Sequence, residues 1–527
     1  MTSVDIRTLP PARRALAALA AVALATPMLL SSASSAGAAS PERGGDPAKR
    51  AAKLARQLVK NSSARDAREH LERFQAIAER SNGHRAAGSP GHEASAAYVH
   101  RLLGKAGYRV SYQPFEFVYV ETLAEKLSVT APTPRDVPVK VMTYTRSTPV
   151  GGVRAAVTPV PVDDTTGCEA GDYAAGAFTG KIALIRRGGC SFAEKQAAAA
   201  DAGAVAAIVY NNVPGSLSGT LGDPAAGRIP TGGVSQADGE ALAAEAGRGE
   251  VTVNLEIREF QEKRVTRNVI AETKGGDPDR TVMLGAHLDS VSAGPGINDN
   301  GSGSAGLLEV ALELARTHQK PANKVRFAWW SAEELNLLGS KAYVAGLSEA
   351  ERDRIALYLN FDMIASPNYA QFVYDGDNSD GVGEPAGPEG SAQLEKQIND
   401  FLDRRGSAHE GTDFTGRSDY GPFIAVGIPS GGTFTGAEVV KTAAQAEKFG
   451  GTAGQSYDPC YHMACDDIDN IHMGAFETNI DVIAHSVGSY AYDLRPLSEP
   501  VTTVPTRGEA GSGGGLHEDH GHDPVTE

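Results

Sequence analysis

The chain has 527 residues, 41% hydrophobic and 22% charged, which is the composition of a globular protein that can bury a large core. Its 49 basic and 65 acidic residues give a formal net charge of −16 without a basic cluster, which argues against nucleic acid and anionic membrane surfaces as partners. The length predicts two or three domains.

The N-terminus has the pattern of a secretory signal peptide. Three arginines among the first 14 residues precede the apolar stretch 15–30, and small residues follow through Ala38. We predict residues 1–38 to be this peptide, cleaved near Ala38, and the protein to be secreted and extracellular; an uncleaved anchor is the alternative. No later segment offers about 18 uninterrupted apolar residues, so we expect no membrane partner. Residues 39–65 are polar and basic and are interpreted as a linker or a short propeptide.

The next two regions differ in pattern. Residues 64–117 contain two helical patterns, a Gly/Ser/Pro loop and an alternating strand. Residues 136–257 change to short β-type runs with Gly and Pro turns, such as KIALIRRGGCSF, around a single helix-like run from Phe192 to Ala202. This segment resembles the protease-associated domain, a small β-rich insert of secreted peptidases. Two roles stay open for it: a lid or spacer that shapes substrate access, and a peptide-recognition module.

The first candidate site residues follow an apolar strand. The strand Val282–Ala286 ends at His287, and Asp289 is placed to orient the imidazole rather than to bind a metal itself. A Gly-Pro-Gly turn then leads to Asp299. Because a helical pattern follows at Ala305–Thr317, Asp299 lies in a strand-to-helix loop, where functional residues collect in open α/β sheets.

Other residues of the types that bind metals also follow apolar strands. Glu333 and Glu334 stand after the apolar strand Val325–Trp330, and Asp362 ends another apolar run. If Glu334 binds metal, Glu333 is left free beside a metal-bound water, which is what a general base requires. His462 lies between two cysteines, whose disulfide would fix it on an otherwise mobile loop.

The spacing of these histidines and carboxylates suits a site for two metal ions. The alternation of strands and helices predicts an α/β fold with three αβα layers, a mostly parallel sheet and the ligands at the carboxyl ends of its strands. Four cysteines can pair in three ways. We expect Cys168 with Cys190 and Cys460 with Cys465, because each pair lies within one local segment and an exported protein is oxidised.

Six motifs carry a resemblance that covers roughly Lys263 to Tyr492: HLDSVSAGPGINDNGSG, FAWWSAEELNLLGS, YLNFDMI, GRSDYGPF, GGTFTGA and CYHMAC. Together they resemble the secreted double-zinc aminopeptidases of the bacterial leucine-aminopeptidase type. The resemblance implies two Zn²⁺ per chain bridged by Asp299. His287 and Asp362 would complete one site, and Glu334 and His462 the other.

The resemblance also implies roles in catalysis. A hydroxide shared by the two ions would attack the peptide carbonyl, with Glu333 as general base and acid and Tyr461 donating to the oxyanion. Glu333, Asp362 and the backbone around Arg417 would hold the free α-amino group. Met363 and Phe434 would line a pocket for apolar N-terminal residues such as Leu. A cis peptide is expected between Asp299 and Asn300.

One motif departs from the family. Close relatives read GRSDHAPF where this chain reads GRSDYGPF, so Tyr420 and Gly421 affect the expected pocket rather than the metal site. Glu477 and Asp481 are considered as ligands of a calcium site, which relatives sometimes carry near this C-terminal region. His409, His472 and Asp466 to Asp469 are interpreted as polar loop groups.

The implied organisation is one catalytic domain, 66–135 and 258–495, interrupted by the insert 136–257. A tail at 496–527 is expected to be disordered, and its histidines (His517, His520 and His522) are either solvated or bind zinc loosely. The expected partners are peptides with a free N-terminus, and the expected oligomeric state is a monomer. Two other functions stay open: a carboxypeptidase of the same broad fold, which needs a cationic pocket, and a binding protein that has lost catalysis.

Overall fold

The computed structural model describes residues 46–381 and 386–501, so the expected signal peptide and the histidines of the tail lie outside the described residues. Among the described helices, none combines the length and the apolar character needed to cross a membrane. The helices are α1 Pro47–Asn61, α2 Ala64–Glu79, α3 Pro90–Ala106, α4 Phe192–Asp201, α5 Gln236–Ala246, α6 Gly303–Arg316, α7 Leu338–Ala345, α8 Glu349–Arg352, α9 Ser391–Arg404, α10 Gly421–Ile424, α11 Ala443–Phe449 and α12 Met473–Tyr490. The strands are β1 Arg109–Ala131, β2 Arg135–Val137, β3 Lys140–Thr143, β4 Val153–Pro159, β5 Ile182–Arg186, β6 Ala206–Tyr210, β7 Gly219–Thr220, β8 Thr231–Val234, β9 Thr252–Glu272, β10 Asp277–His287, β11 Asn323–Trp330, β12 Ile355–Phe361, β13 Phe372–Tyr374, β14 Glu410–Thr412 and β15 Ser430–Phe434.

Four parallel strands form the centre of the main domain, in the spatial order β11, β10, β12 and β15. The flanking strands β9 and β13 pair antiparallel with β11 and β15. Alternate residues of β10 face opposite layers, because successive side chains of a strand point to opposite faces. Val282 and Leu284 pack with α6 and α12, whereas Met283 joins the core that contains α7 and α10. The three-layer fold with a mostly parallel sheet is therefore confirmed.

The insert is connected to the main domain by the long antiparallel pair of β1 and β9, which runs from Arg109 opposite Glu272 to Ala131 opposite Thr252 with two register shifts, at Thr122–Ala124 and Val129–Ala131. The far ends of both strands enter the insert's core, where β4, β5, β6 and β8 run parallel. The prediction of a single helix was wrong, since α5 packs on this core and α4 packs on a second apolar cluster of the insert. Only Gly239 and Leu242 of α5 are buried, so its sequence shows little helical periodicity.

The stretch expected to be a linker or propeptide contains helix α1. Asp46 caps its N-terminus, and Leu54, Ala55 and Leu58 are buried against the main domain. The contact is close: a Cβ added at Gly488 of α12 would lie 2.3 Å from the Cα of Ala55. The interpretation of Pro47–Asn61 as a linker is therefore wrong, because the apolar residues of this stretch form one buried face of a helix.

Candidate active site

The candidate metal ligands gather at the carboxyl ends of neighbouring parallel strands. His287 is the last residue of β10, Asp362 directly follows β12, and Glu334 follows β11. Asp299 lies in the loop between β10 and α6, and His462 lies in a loop before α12. Parallel strands bring their carboxyl ends to one edge of the sheet, which is why residues so far apart in sequence meet.

Asp299 stands between the two histidines. Its Oδ1 lies 3.2 Å from Nε2 of His287, and its Oδ2 lies 3.2 Å from Nε2 of His462. Each histidine also faces a second carboxylate: Asp362 Oδ1 is 3.2 Å from His287 Nε2, and Glu334 Oε2 is 2.9 Å from His462 Nε2. The five side chains thus form two neighbouring donor sets that share one carboxylate.

The charges of this cluster explain its pKa shifts. Burial lowers the pKa of His287, but the carboxylates of Asp362 and Glu333 outweigh burial and raise it well above its ordinary value. Burial also lowers the pKa of His462, but the nearby carboxylates, that of Glu334 above all, raise it well above its ordinary value. Oε1 of Glu334 is buried and accepts no hydrogen bond from the described residues. Imidazoles and buried carboxylates with unused acceptor capacity are donors that fit zinc.

Glu333 lies beside this cluster. Its Oε2 is 3.7 Å from Nε2 of His287, and its side chain is only 9% exposed. Burial raises the pKa of Glu333 well above its ordinary value, with a contribution from Asp362 that the charge of His287 opposes. A carboxylate with a raised pKa is a stronger proton acceptor than an ordinary one, which suits a group that takes up a proton and later returns it.

The structure modifies the expected role of Asp289. Nδ1 of His287 is closer to the backbone carbonyl oxygen of Asp289, at 3.2 Å, than to its carboxylate Oδ1, at 3.7 Å. The same Oδ1 accepts a hydrogen bond from the backbone N–H of Glu333 at 3.3 Å. The buried carboxylate of Asp289 therefore also holds the backbone at Glu333, shortly after β11.

Two residues that support the Asp299 loop were not found from the sequence. Asp466 was interpreted as a polar loop group, but it is buried and its carboxylate accepts the backbone N–H groups of Asn298 at 2.8 Å and Asp299 at 3.0 Å. Arg85 is fully buried and its guanidinium donates to three backbone carbonyls, those of Leu288, Pro295 and Gly296. The expected cis peptide between Asp299 and Asn300 is confirmed.

A cavity of about 480 Å³ opens beside the cluster. The residues expected to contact substrate all line it: Met363, Arg417, Phe434 and Tyr461. Tyr420 lines it too, and the lining also includes aromatic and acidic side chains that the sequence did not single out: Phe372, Tyr374, Asp413, Glu438 and Tyr457. Tyr420, the departure from the family motif, accepts a hydrogen bond from the backbone N–H of Gly416 at 3.2 Å and so supports the loop that carries Arg417.

Both expected disulfides are present, Cys168 with Cys190 in the insert and Cys460 with Cys465 around His462. His462 has a φ of 57°, a left-handed conformation that is uncommon for residues other than glycine. Its side chain is 40% exposed, whereas that of His287 is 1% exposed. The loop closed by the disulfide is therefore what holds this histidine towards Asp299.

The residues considered for calcium have protein partners. Glu477 accepts the backbone N–H of Ala64 at 2.5 Å, and Asp481 pairs with Arg405 at 2.6 Å. A different group of carboxylates lies close enough together to hold a cation, namely Asp375, Asp377 and Glu395. Oxygens of all three accept backbone N–H groups of the same loop.

The sequence matches known families in two regions. Residues 268–487 match peptidase family M28, and residues 153–242 match the PA domain. The chain is 48% identical over 433 residues to a protein named leucine aminopeptidase 2 from Arthroderma otae, covering 81% of this chain and 85% of that protein. It is 43% identical over 456 residues to an aminopeptidase of Pseudomonas aeruginosa, covering 84% of this chain and 83% of that protein.

Solved structures agree with these matches. An aminopeptidase from Aneurinibacillus sp. strain AM-1 has a TM-score of 0.67 at 28% identity, over 82% of this chain and 95% of that one. A zinc aminopeptidase from Bacillus subtilis has a TM-score of 0.58 at 27% identity, over 81% of this chain and 94% of that one.

Proposed function

Because the chain belongs to peptidase family M28 and carries an inserted PA domain, we propose that it is a secreted aminopeptidase that uses two zinc ions to release apolar N-terminal residues, such as Leu, from peptides. The observation that carries the two-ion proposal is Asp299, whose carboxylate oxygens each lie 3.2 Å from a different histidine. A shared carboxylate between two donor sets is what a pair of metal ions needs.

We assign His287 and Asp362 to one ion, Glu334 and His462 to the other, and Asp299 to both. When bound, the two ions activate a water molecule and polarise the substrate carbonyl. Glu333 takes the proton of that water and later gives it to the leaving amine, a role that its buried position and raised pKa support. The hydroxyl group of Tyr461 donates a hydrogen bond to the oxyanion that forms.

The charge of the cavity supports an aminopeptidase rather than a carboxypeptidase. Glu333 and Asp362 line it together with further carboxylates, and they are assigned to the substrate's α-ammonium group. Arg417 is the only arginine or lysine among the residues that line this cavity, and its guanidinium is paired with Glu438 at 2.8 Å. A neutralised arginine is poorly suited to bind a substrate carboxylate. Met363 and Phe434 offer the apolar contact for the N-terminal side chain. A binding protein without catalysis has no support, since the proposed ligands and Glu333 are all present.

The proposal includes the remaining expectations. The two disulfides support an oxidising compartment, and N-terminal sequencing of the mature protein would test cleavage near Ala38. A monomer is expected in solution, and the insert is assigned a role in shaping substrate access. Calcium is left out, because Glu477 and Asp481 already contact protein groups.

The deciding experiment is hydrolysis of leucine p-nitroanilide by the mature protein. Activity should disappear on chelation, return with zinc, and be absent from a Glu333→Ala variant that still binds two zinc ions per chain. Activity on other N-terminal residues but not leucine would refute the preference alone. No activity of the zinc-loaded protein on any aminoacyl p-nitroanilide would refute the proposed function.

A further inference from the structure

The side chain of Arg417 contacts two residues of the cavity from different loops. One terminal nitrogen donates to Oε1 of Glu438 at 2.8 Å, and the other donates to the hydroxyl oxygen of Tyr461 at 3.4 Å. We infer that Arg417, held by Glu438, is a positioning residue that directs the hydroxyl proton of Tyr461 towards the substrate carbonyl oxygen. This inference rests on the proposed function and on the role assigned there to Tyr461.

The chemistry of the guanidinium group gives the contact its direction. Arginine carries five N–H donors and no acceptor, so it can donate to the phenol oxygen of Tyr461 but cannot take the phenol proton in return. That proton is thereby left for a partner in the cavity.

The ring of Tyr461 is held by its surroundings. The ring of Tyr461 stacks on the imidazole of His462, with centroids 3.8 Å apart and planes at 21°. Stacking fixes the plane of the phenol ring, so the rotation of the O–H bond is the main freedom that remains. A donor that occupies the oxygen from one side restricts that rotation.

Glu438 has two effects on this arrangement. It follows β15, whereas Arg417 lies between β14 and α10, so their ion pair joins two loops that wall the cavity. The side chain of Glu438 is 14% exposed, which limits screening of the pair by water. The pairing also offsets the guanidinium charge, so that the substrate's ammonium group is not repelled by it.

A double-mutant cycle tests the inference with leucine p-nitroanilide. Tyr461→Phe is expected to lower kcat by about 100-fold, the effect of removing one donor to an oxyanion. Arg417→Met should lower kcat by about tenfold in the wild-type background and by less than about twofold in the Tyr461→Phe background, because its effect passes through the phenol. Zinc content should stay at the wild-type value in all of these variants.

Glu438→Gln serves as the second variant. It should lower kcat in the wild-type background and have little effect on kcat in the Tyr461→Phe background, as expected for Arg417→Met. Its matched control is Glu245→Gln, which removes the 2.9 Å ion pair between Glu245 of the insert and Arg135 and should leave kcat unchanged. Equal factors in both backgrounds would overturn the inference, as would loss of zinc from Arg417→Met. If Arg417→Met does not fold, the Glu438→Gln cycle decides. An inactive wild-type enzyme would instead count against the proposed function.

Discussion

Replacing Cys460 and Cys465 with serine opens the short loop that carries His462. The disulfide joins residues with a sequence separation of 5, and closing so short a loop restricts the chain by about 2 kcal/mol. His462 also has a left-handed φ of 57°, which favours relaxation once the loop is open. If the opened loop gains this freedom in full, the zinc ion assigned to Glu334 and His462 should bind up to about 30-fold more weakly.

Competition with a chromophoric chelator measures the two zinc affinities. We expect the affinity of one ion to fall and that of the other, assigned to His287 and Asp362, to stay within about threefold of wild type. The matched control is replacement of both Cys168 and Cys190, whose sequence separation is 22. Its loss should lower the free energy of unfolding by about 3 kcal/mol and leave both zinc affinities unchanged. An equal fall of both affinities, or no fall at all, would refute the reasoning.

Three further substitutions test other parts of the structure. Glu309 is buried, and burial raises its pKa to about 7, above the value near 4.5 in the unfolded chain, so its ionisation reduces stability as the pH rises through that window. Glu309→Gln should therefore stabilise the fold by up to about 3 kcal/mol at pH 8 and by less than about 1 kcal/mol at pH 5, measured by urea unfolding; an equal gain at both pH values would contradict this. Asp466→Asn should lower zinc affinity by about 10-fold or more, because the carboxylate of Asp466 supports the Asp299 loop. Asp469 is exposed, so the control Asp469→Asn should not change the affinity. Equal zinc titrations of the two variants would show that the contact of Asp466 is unnecessary for zinc binding. Gly488→Ala should destabilise by about 2 kcal/mol because its Cβ would overlap helix α1, while Gly104→Ala, with no atom within 4 Å, should not; a fully stable Gly488→Ala would mean that α1 is not packed on α12 in solution.

The three-layer fold could be predicted from the sequence, because the hydrophobic pattern of each segment agrees with its place in the fold. Each apolar run that ends in a candidate ligand is a strand of the parallel sheet, and the rule that parallel strands present their carboxyl ends at one edge brings His287, Glu334 and Asp362 together. The ligand assignments themselves came from the resemblance and stay proposals. The pairing of the cysteines followed from their local spacing.

The residues that the sequence did not reveal act at long range or lack a periodic pattern. Arg85 donates to backbone carbonyls more than 200 positions away, with separations of 203 to 211, and a lone arginine in a Gly/Ser/Pro loop carries no local sign of that. Asp466 resembles its neighbours Asp467 and Asp469 in sequence and differs from them only in burial. Helix α1 was missed because its lysines and arginines gave the stretch a polar and basic character, although its buried face is apolar.

The position of Asp299 depends on contacts between loops as well as on the sheet. Asp466 holds the backbone N–H groups of Asn298 and Asp299, and it directly follows Cys465, which closes the loop of His462. Asp466 lies outside the ring that the disulfide closes, so its hold on the shared carboxylate does not depend on the bond, whereas His462, which faces Oδ2 of Asp299 at 3.2 Å, lies inside that ring. The other histidine, His287, belongs to a strand and needs no such support. The two donor sets thus differ in how they are held, one by the sheet and one by a covalently closed loop, and this difference is why loss of the disulfide is expected to weaken only one ion.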